Sequence, residues 1–227
     1  MPRRAVRKID PTLDLAPYLR KIDDLPVSWR GEAIFGREVS LEVEVGSGKG
    51  LFLASAAAAA PECDFLGIEL AGKYARVAAA RLAKRGLRNA LVVEGDGPRL
   101  FRERLPDSKL AAVHVYFPDP WWKARHKKRR IMTAAFLSDV ERTLADAGRL
   151  HFWTDVKEYF ETTLDLVRQV TGLAGPFEVP ESQPEHDLDY RTNFERRMRL
   201  SGEPVYRAKF AKGSGDGTEA SAAVSAS

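Results

Sequence analysis

The chain is expected to fold as a doubly wound α/β domain, a seven-stranded and mostly parallel sheet with helices on both faces. Three observations carry this. Strand-like and helix-like segments alternate strictly from residue 40 to residue 172. Glycine or proline stops the helical segments, and a glycine-rich turn follows the first strand directly. Strict alternation implies right-handed crossovers and a parallel sheet.

SLEVEVG from Ser40 reads as a strand rich in β-branched residues, and LFLASAAAAA from Leu51 as a helix halted by Pro61. CDFLGIEL from Cys63 gives a second strand, and KYARVAAARLAKRG a helix whose C-cap is Gly86. NALVVEGD from Asn89 and LAAVHVYF from Leu110 give the third and fourth strands. TAAFLSDVERTLADAG carries apolar residues at helical spacing up to Gly148. RLHFWTD from Arg149 is a fifth strand, and VKEYFETTLDLVRQVTG a helix up to Gly172. FEVP and EPVYRAKFA complete the sheet as an antiparallel pair at one edge.

Residues 1–26 form a basic arm without periodicity, 27–212 the domain, and 213–227 a Gly/Ser/Ala-rich tail expected to be disordered. The chain has 227 residues, 44% hydrophobic and 30% charged, which is globular composition for a single domain. Its alanine-rich stretch at Ala54–Ala60 is far short of a bilayer span, so no membrane association is expected. One cysteine, Cys63, excludes an internal disulfide and suits a reducing, cytoplasmic setting. No His/Cys spacing suggests a metal. The net charge of +4 is modest, but the basic residues cluster in two runs: Arg3, Arg4, Arg7 and Lys8, then Lys123 to Arg130. Such runs are often merely solvated faces.

Open sheets of this kind bind ligands at the carboxyl ends of their strands. Each of the five strand ends carries an acid there: Glu44, Glu69, Asp96, Asp119 and Asp155. Any one of them could cap a helix or fill a turn; five along one edge point to a shared site. The turn GSGKG, with Gly46 and Gly48, lets backbone approach a ligand closely. It lacks the phosphate-loop spacing, and Leu51 stands where a dinucleotide fingerprint needs glycine or alanine. Carboxylates repel a pyrophosphate and attract a cation. S-adenosylmethionine fits: it has no phosphate, a sulfonium and an ammonium, ribose hydroxyls for Glu69, an adenine amino edge for Asp96, and a methionine end for Glu44. A mononucleotide or nicotinamide dinucleotide is the rival ligand.

The pieces EVGSGKG, GIE at Gly67–Glu69, GD at Gly95–Asp96, FPDPWWKARHKKRR, TD at Thr154–Asp155 and TNFERR at Thr192–Arg197 stand in that order from about residue 40 to 210. Together they resemble the bacterial tRNA (guanine-N7-)-methyltransferases, class I, Rossmann-like enzymes. GDG in place of GDA, and Trp122, depart from the usual pattern without touching a group assigned to chemistry. The resemblance implies that Glu44, Glu69, Asp96 and Asp119 contact S-adenosylmethionine, with Asp119 catalytic. It further implies that Lys123, Asp155, Thr192, Asn193, Phe194 and Glu195 touch the substrate. Arg125, His126, Lys127, Lys128, Arg129 and Arg130 would contact RNA, and the target would be the variable-loop guanine at tRNA position 46. A non-catalytic RNA-binding module on such a sheet is the alternative, and the chain is expected to be a monomer or a homodimer.

The chemistry is consistent with that resemblance. Guanine N7 has an in-plane lone pair and no proton to lose, so no strong base is needed. A fixed carboxylate beside the base would accept from N1–H or N2–H₂ as the ring becomes cationic. Asp119, between Pro118 and Pro120, sits in backbone held near extended or turn geometry. Of Trp121 and Trp122, one is expected to pack against the sheet and the other to stack on the extruded base. His126 is expected as a phosphate or structural partner and His114 as a plain strand residue. Thr192 could equally be the N-cap of a helical turn.

Overall fold

A computed structural model describes residues 8–27, 31–179 and 192–213; the N-terminal arginines, the stretch ESQPEHDLDYR and the C-terminal tail lie outside them. In chain order the strands are β1 (Leu19–Lys21), β2 (Leu41–Val45), β3 (Asp64–Glu69), β4 (Ala90–Glu94), β5 (Leu110–Tyr116), β6 (Leu144–Thr154), β7 (Ala174–Phe177) and β8 (Tyr206–Ala211). The helices are α1 (Gly31–Phe35), α2 (Leu51–Ala59), α3 (Gly72–Arg85), α4 (Gly97–Glu103), α5 (Ala134–Thr143), α6 (Lys157–Val170) and α7 (Asn193–Leu200). One sheet runs β1-β4-β3-β2-β5-β6-β8-β7. Pairings from β1 to β6 are parallel, and β8 runs antiparallel to both β6 and β7.

The sheet therefore has eight strands where the sequence predicts seven. The extra one is β1, which lies in the stretch without periodicity. It pairs Leu19 with Val92, and the Val92 N–H donates to Tyr18 O at 3.0 Å. Three residues are too few to show a pattern of their own, so this strand exists only through its neighbour. The late edge strand also shifts, to Ala174–Phe177 from the expected FEVP.

The join of α5 and β6 is a second correction. The apolar spacing carries a helix to Gly148, yet α5 stops at Thr143 and β6 begins at Leu144. Tertiary donors claim the carbonyls: Ser108 and Lys109 N–H donate to Arg142 O and Thr143 O at 2.9 Å each, and the Lys212 ammonium to Glu141 O and Leu144 O. Gly148 is thus no helix cap. A Cβ there would lie 2.7 Å from Ala145 O and 2.8 Å from Leu110 O, so the glycine permits a close backbone approach.

The two faces differ in character. Under α2 and α3 the packing is alanine-rich, with Ala54, Ala57, Ala75, Ala78 and Ala79 buried beside Leu53 and Leu82. These helices approach so closely that a Cβ on Gly50 would meet Ala78 Cβ at 2.7 Å. The opposite face buries larger side chains from α4, α5 and α6, including Phe101, Phe136, Val140 and Tyr159. The chain turns from one side of the sheet to the other at the β2/β5 junction, the switch point where open sheets hold ligands.

Candidate active site

A cavity of about 280 Å³ opens at that junction. The end of β2 gives it Glu44, the following turn Gly46, Ser47, Gly48 and Lys49, and α2 Leu51 and Phe52. Tyr74 of α3, Tyr116 and Phe117 at the end of β5, and Thr192 close it. Gly46, Gly48 and Gly50 all adopt positive φ, and the turn is pinned by Gly46 and Ser47 N–H donating to Ile68 O at 2.8 and 3.0 Å.

Glu44 is only 3% exposed, and among the described residues its Oε2 has no hydrogen-bond partner. Burial, then the charge of nearby Glu69, pushes its carboxyl well above the ordinary range, with the Leu53 backbone N–H acting weakly the other way. The Ser47 hydroxyl is likewise buried and unpartnered. Glu69 accepts from Gly48 N–H and Ala71 N–H at 2.8 Å each, so it fixes the glycine turn and keeps further lone pairs for a ligand. Asp96 is exposed and caps α4, accepting from Arg99 N–H at 2.9 Å. An aromatic-walled hollow with an orphaned, buried carboxylate oxygen fits a cationic ligand.

Beyond Phe117 the chain enters the Pro118–Asp119–Pro120 turn at the cavity's rim. Phe117 and Trp121 both hold positive φ, 50° and 46°, a costly geometry that clusters at functional sites. Asp119 is exposed and makes no hydrogen bond or ion pair among the described residues. Arg130 fixes the turn from behind: its Nε donates to Pro120 O at 2.8 Å, its Nη2 to Glu158 Oε2 at 2.7 Å, and its guanidinium lies 4.4 Å from the Tyr159 ring centre.

The sequence and the fold have counterparts among known proteins. A family model described as "Putative methyltransferase" matches residues 38–208. The tRNA (guanine-N(7)-)-methyltransferase of Rhodopirellula baltica is 48% identical over 219 residues, covering 93% of this chain and 80% of that protein. The enzyme of the same name from Myxococcus xanthus is 39% identical over 83% of this chain and 90% of its own. The chain belongs to the tRNA (guanine-N7-)-methyltransferase family. Among solved structures, the 16S rRNA methyltransferase KamB superposes with a TM-score of 0.59 at 16% identity, over 83% of this chain and 96% of that one, a likeness of fold alone.

Of the other residues assigned from the family resemblance, Thr192 lines the cavity among the described residues, and the rest lie outside its lining. Lys123 is exposed just past the turn, followed by a 3-10 segment from Ala124 to Arg129. Arg125 and His126 contact one another at 3.3 Å, Lys128 and Arg129 are exposed, and the Lys127 side chain lies outside the described residues. Arg130, expected in the RNA-contacting run, is turned inward as described. Neither tryptophan joins the sheet core. Trp121 is half-buried beneath Arg129, 5.1 Å from its ring centre, whereas Trp122 is 68% exposed. Asp155 sits half-buried after β6, beside buried Thr154. Thr192 caps α7 by accepting from Glu195 N–H at 2.9 Å, and it also lines the cavity. Glu195 is buried with Arg207 at 3.6 Å; Asn193 and Phe194 begin α7, and their side chains lie outside the described residues.

Sequence reasoning missed Ser47, Phe52, Tyr74 and Tyr116 as cavity walls. Tyr74 and Phe52 belong to helical patterns that give no sign of which turn faces a ligand. It also missed what His114 does. That ring joins Glu42 Oε2 at 2.8 Å to the Tyr116 hydroxyl at 2.9 Å and stacks 4.9 Å from His151, a buried network behind the Tyr116 wall. Among the described residues there is no cluster able to hold a metal and no helix long and apolar enough to cross a membrane.

Proposed function

We propose that the protein transfers the methyl group of S-adenosylmethionine to N7 of guanine in tRNA, at position 46 of the variable loop. The observation that carries this is Glu44: a buried carboxyl with one oxygen unpartnered among the described residues, near a second carboxylate, in a hollow at the sheet's switch point. Glu44 and Ser47 would face the cationic methionine end, Glu69 the ribose hydroxyls, and Asp96 the adenine edge. The aromatic walls Phe52, Tyr74, Tyr116 and Phe117 would exclude water from the reacting centre. The bound donor supplies an electrophilic methyl on a cationic sulfur, which the in-plane lone pair of guanine N7 accepts as the bond to sulfur breaks.

Asp119 acts on the base, beside the donor contact that the family resemblance also implies for it. Its carboxylate accepts from the guanine N1–H or N2–H₂, and this bond tightens as positive charge moves onto the purine. The prolines on either side and the Arg130 bond to Pro120 O hold that carboxylate in place before the base arrives. Lys123, Asp155 and Thr192 complete the substrate rim, and Arg125, Lys128 and Arg129 neutralise phosphates just outside it. The test is incubation with bulk tRNA and labelled methyl donor, then nucleoside mapping; the expected product is 7-methylguanosine in the variable loop. Asp119→Ala should lower kcat by about 10² to 10³ while leaving the melting curve unchanged. Full activity in that variant, or a labelled product other than 7-methylguanosine, would remove the reading.

A further inference from the structure

Helix α3 carries Lys73, Arg76, Arg81, Lys84 and Arg85 and no Asp or Glu. The helices α4, α5 and α6 instead mix signs and pair them internally, as in Arg99–Glu103, Arg142–Asp139 and Lys157–Glu161. Among the described residues none of the five α3 cations sits in an ion pair. Arg81 and Arg85 lean toward α2, donating to Lys49 O and Ala54 O, both at 3.0 Å. Burial, and then the like charge of Arg85, pulls the Arg81 guanidinium below its ordinary value. Lys73, Arg76 and Lys84 stay exposed, and Arg88 adds an exposed cation just past the Gly86 cap. Asp10, held down mainly by hydrogen bonds from Thr12, also feels the charge of Lys84.

The placement matters as much as the charge. Helix α3 starts at the carboxyl edge of the sheet, where Tyr74 forms one wall of the cavity and Phe117 another. Lys73 and Lys49 both lie over the Tyr74 ring, at 5.0 and 5.9 Å. The basic start of α3 therefore borders the cavity, and Lys123–Arg129 follow in the chain from the Phe117 wall. At 3.6 residues per turn, Arg76 and Lys84 fall within about 80° of each other and about 12 Å apart along the axis. A cationic strip of that length offers a surface that a polyanion can meet.

We infer that the exposed side of α3, centred on Arg76 and Lys84, is a second contact surface for the tRNA phosphate backbone, distinct from the basic segment after Trp122. The inference rests on the proposed tRNA reading: one arm of the nucleic acid lies on Lys123–Arg129 while another part crosses the cavity mouth onto α3. Arg76 and Lys84 touch neither cofactor cavity nor base, so they act on affinity alone.

The test is the double variant Arg76→Gln/Lys84→Gln, with Arg76→Glu/Lys84→Glu as the stronger form. Filter binding of tRNA is followed across salt concentrations, beside steady-state methyl transfer. Losing two phosphate contacts should flatten the slope of log affinity against log salt by between about one and two. The KM for tRNA should rise about 5- to 30-fold near physiological salt, more for the glutamate pair, with kcat, donor affinity and melting temperature unchanged. An unchanged salt slope in both variants overturns the inference. Binding is read separately from turnover, so the two readings fail differently. Parent protein that makes no 7-methylguanosine defeats the proposed reaction, whereas an active parent matched by its variants defeats only the α3 surface.

Discussion

Glu44→Gln tests the logic of the site most directly, because it removes a charge and keeps the shape. The folded state holds the Glu44 proton more tightly than the unfolded chain does, since burial and Glu69 both oppose ionisation. The stability this group contributes is therefore fully present below the ordinary carboxyl value of 4.5 and is lost as pH rises through the raised folded value. Without ligand, Glu44→Gln should melt at the same temperature as the parent in acid and at a higher one once Glu44 would be ionised. A cationic donor reverses the balance. One charge pair at about 4 Å and an effective dielectric near 20 amounts to about 4 kcal/mol before desolvation. If a third to two-thirds of that survives, Glu44→Gln weakens donor binding about 10- to 100-fold. Below the folded value, binding to the parent should also release a proton and tighten as pH rises, by up to tenfold per unit. Titration calorimetry in buffers of differing ionisation enthalpy measures both quantities. A variant that binds the donor as tightly as the parent, with the same proton release, would refute the reasoning.

Trp122→Ala should raise the KM for tRNA about 5- to 100-fold, as expected for losing one stacked base, and should abolish much of the indole fluorescence change on tRNA binding; an unaltered KM would mean that this exposed ring meets solvent only. Arg130→Ala removes the donor to Pro120 O, so kcat should fall tenfold or more with donor affinity intact, and a kcat equal to the parent's would show that the turn holds Asp119 by itself. Gly50→Ala combines a positive φ of 66° with a Cβ 2.7 Å from Ala78, so it should cost about 2 kcal/mol or more in denaturant unfolding. A stability within 0.5 kcal/mol of the parent would show that α2 and α3 can slide apart.

What the sequence determined by itself is the alternation and the edge. Its hydrophobic periods set β2 to β5 and α2, α3 and α6 close to where they stand, and chain direction alone then put Glu44, Glu69, Asp96, Asp119 and Asp155 at the carboxyl edge of the sheet. Local rules were enough because each of those elements is long enough to show its own period or carries its own stop signal. The tertiary structure decided the rest. Strand β1 forms only because β4 offers an unpaired edge. Helix α5 stops at Thr143 because Ser108, Lys109 and Lys212 donate to its last carbonyls, although the apolar spacing runs on to Gly148. How each acid is partnered likewise depends on contacts far apart in the chain: Glu69 is tied to Gly48 and Ala71, Asp96 to its own helix, and Glu44 is deeply buried with one oxygen unpartnered among the described residues. Periodicity reports which face of an element is apolar, whereas desolvation and hydrogen-bond satisfaction depend on neighbours that are close only after the chain has folded.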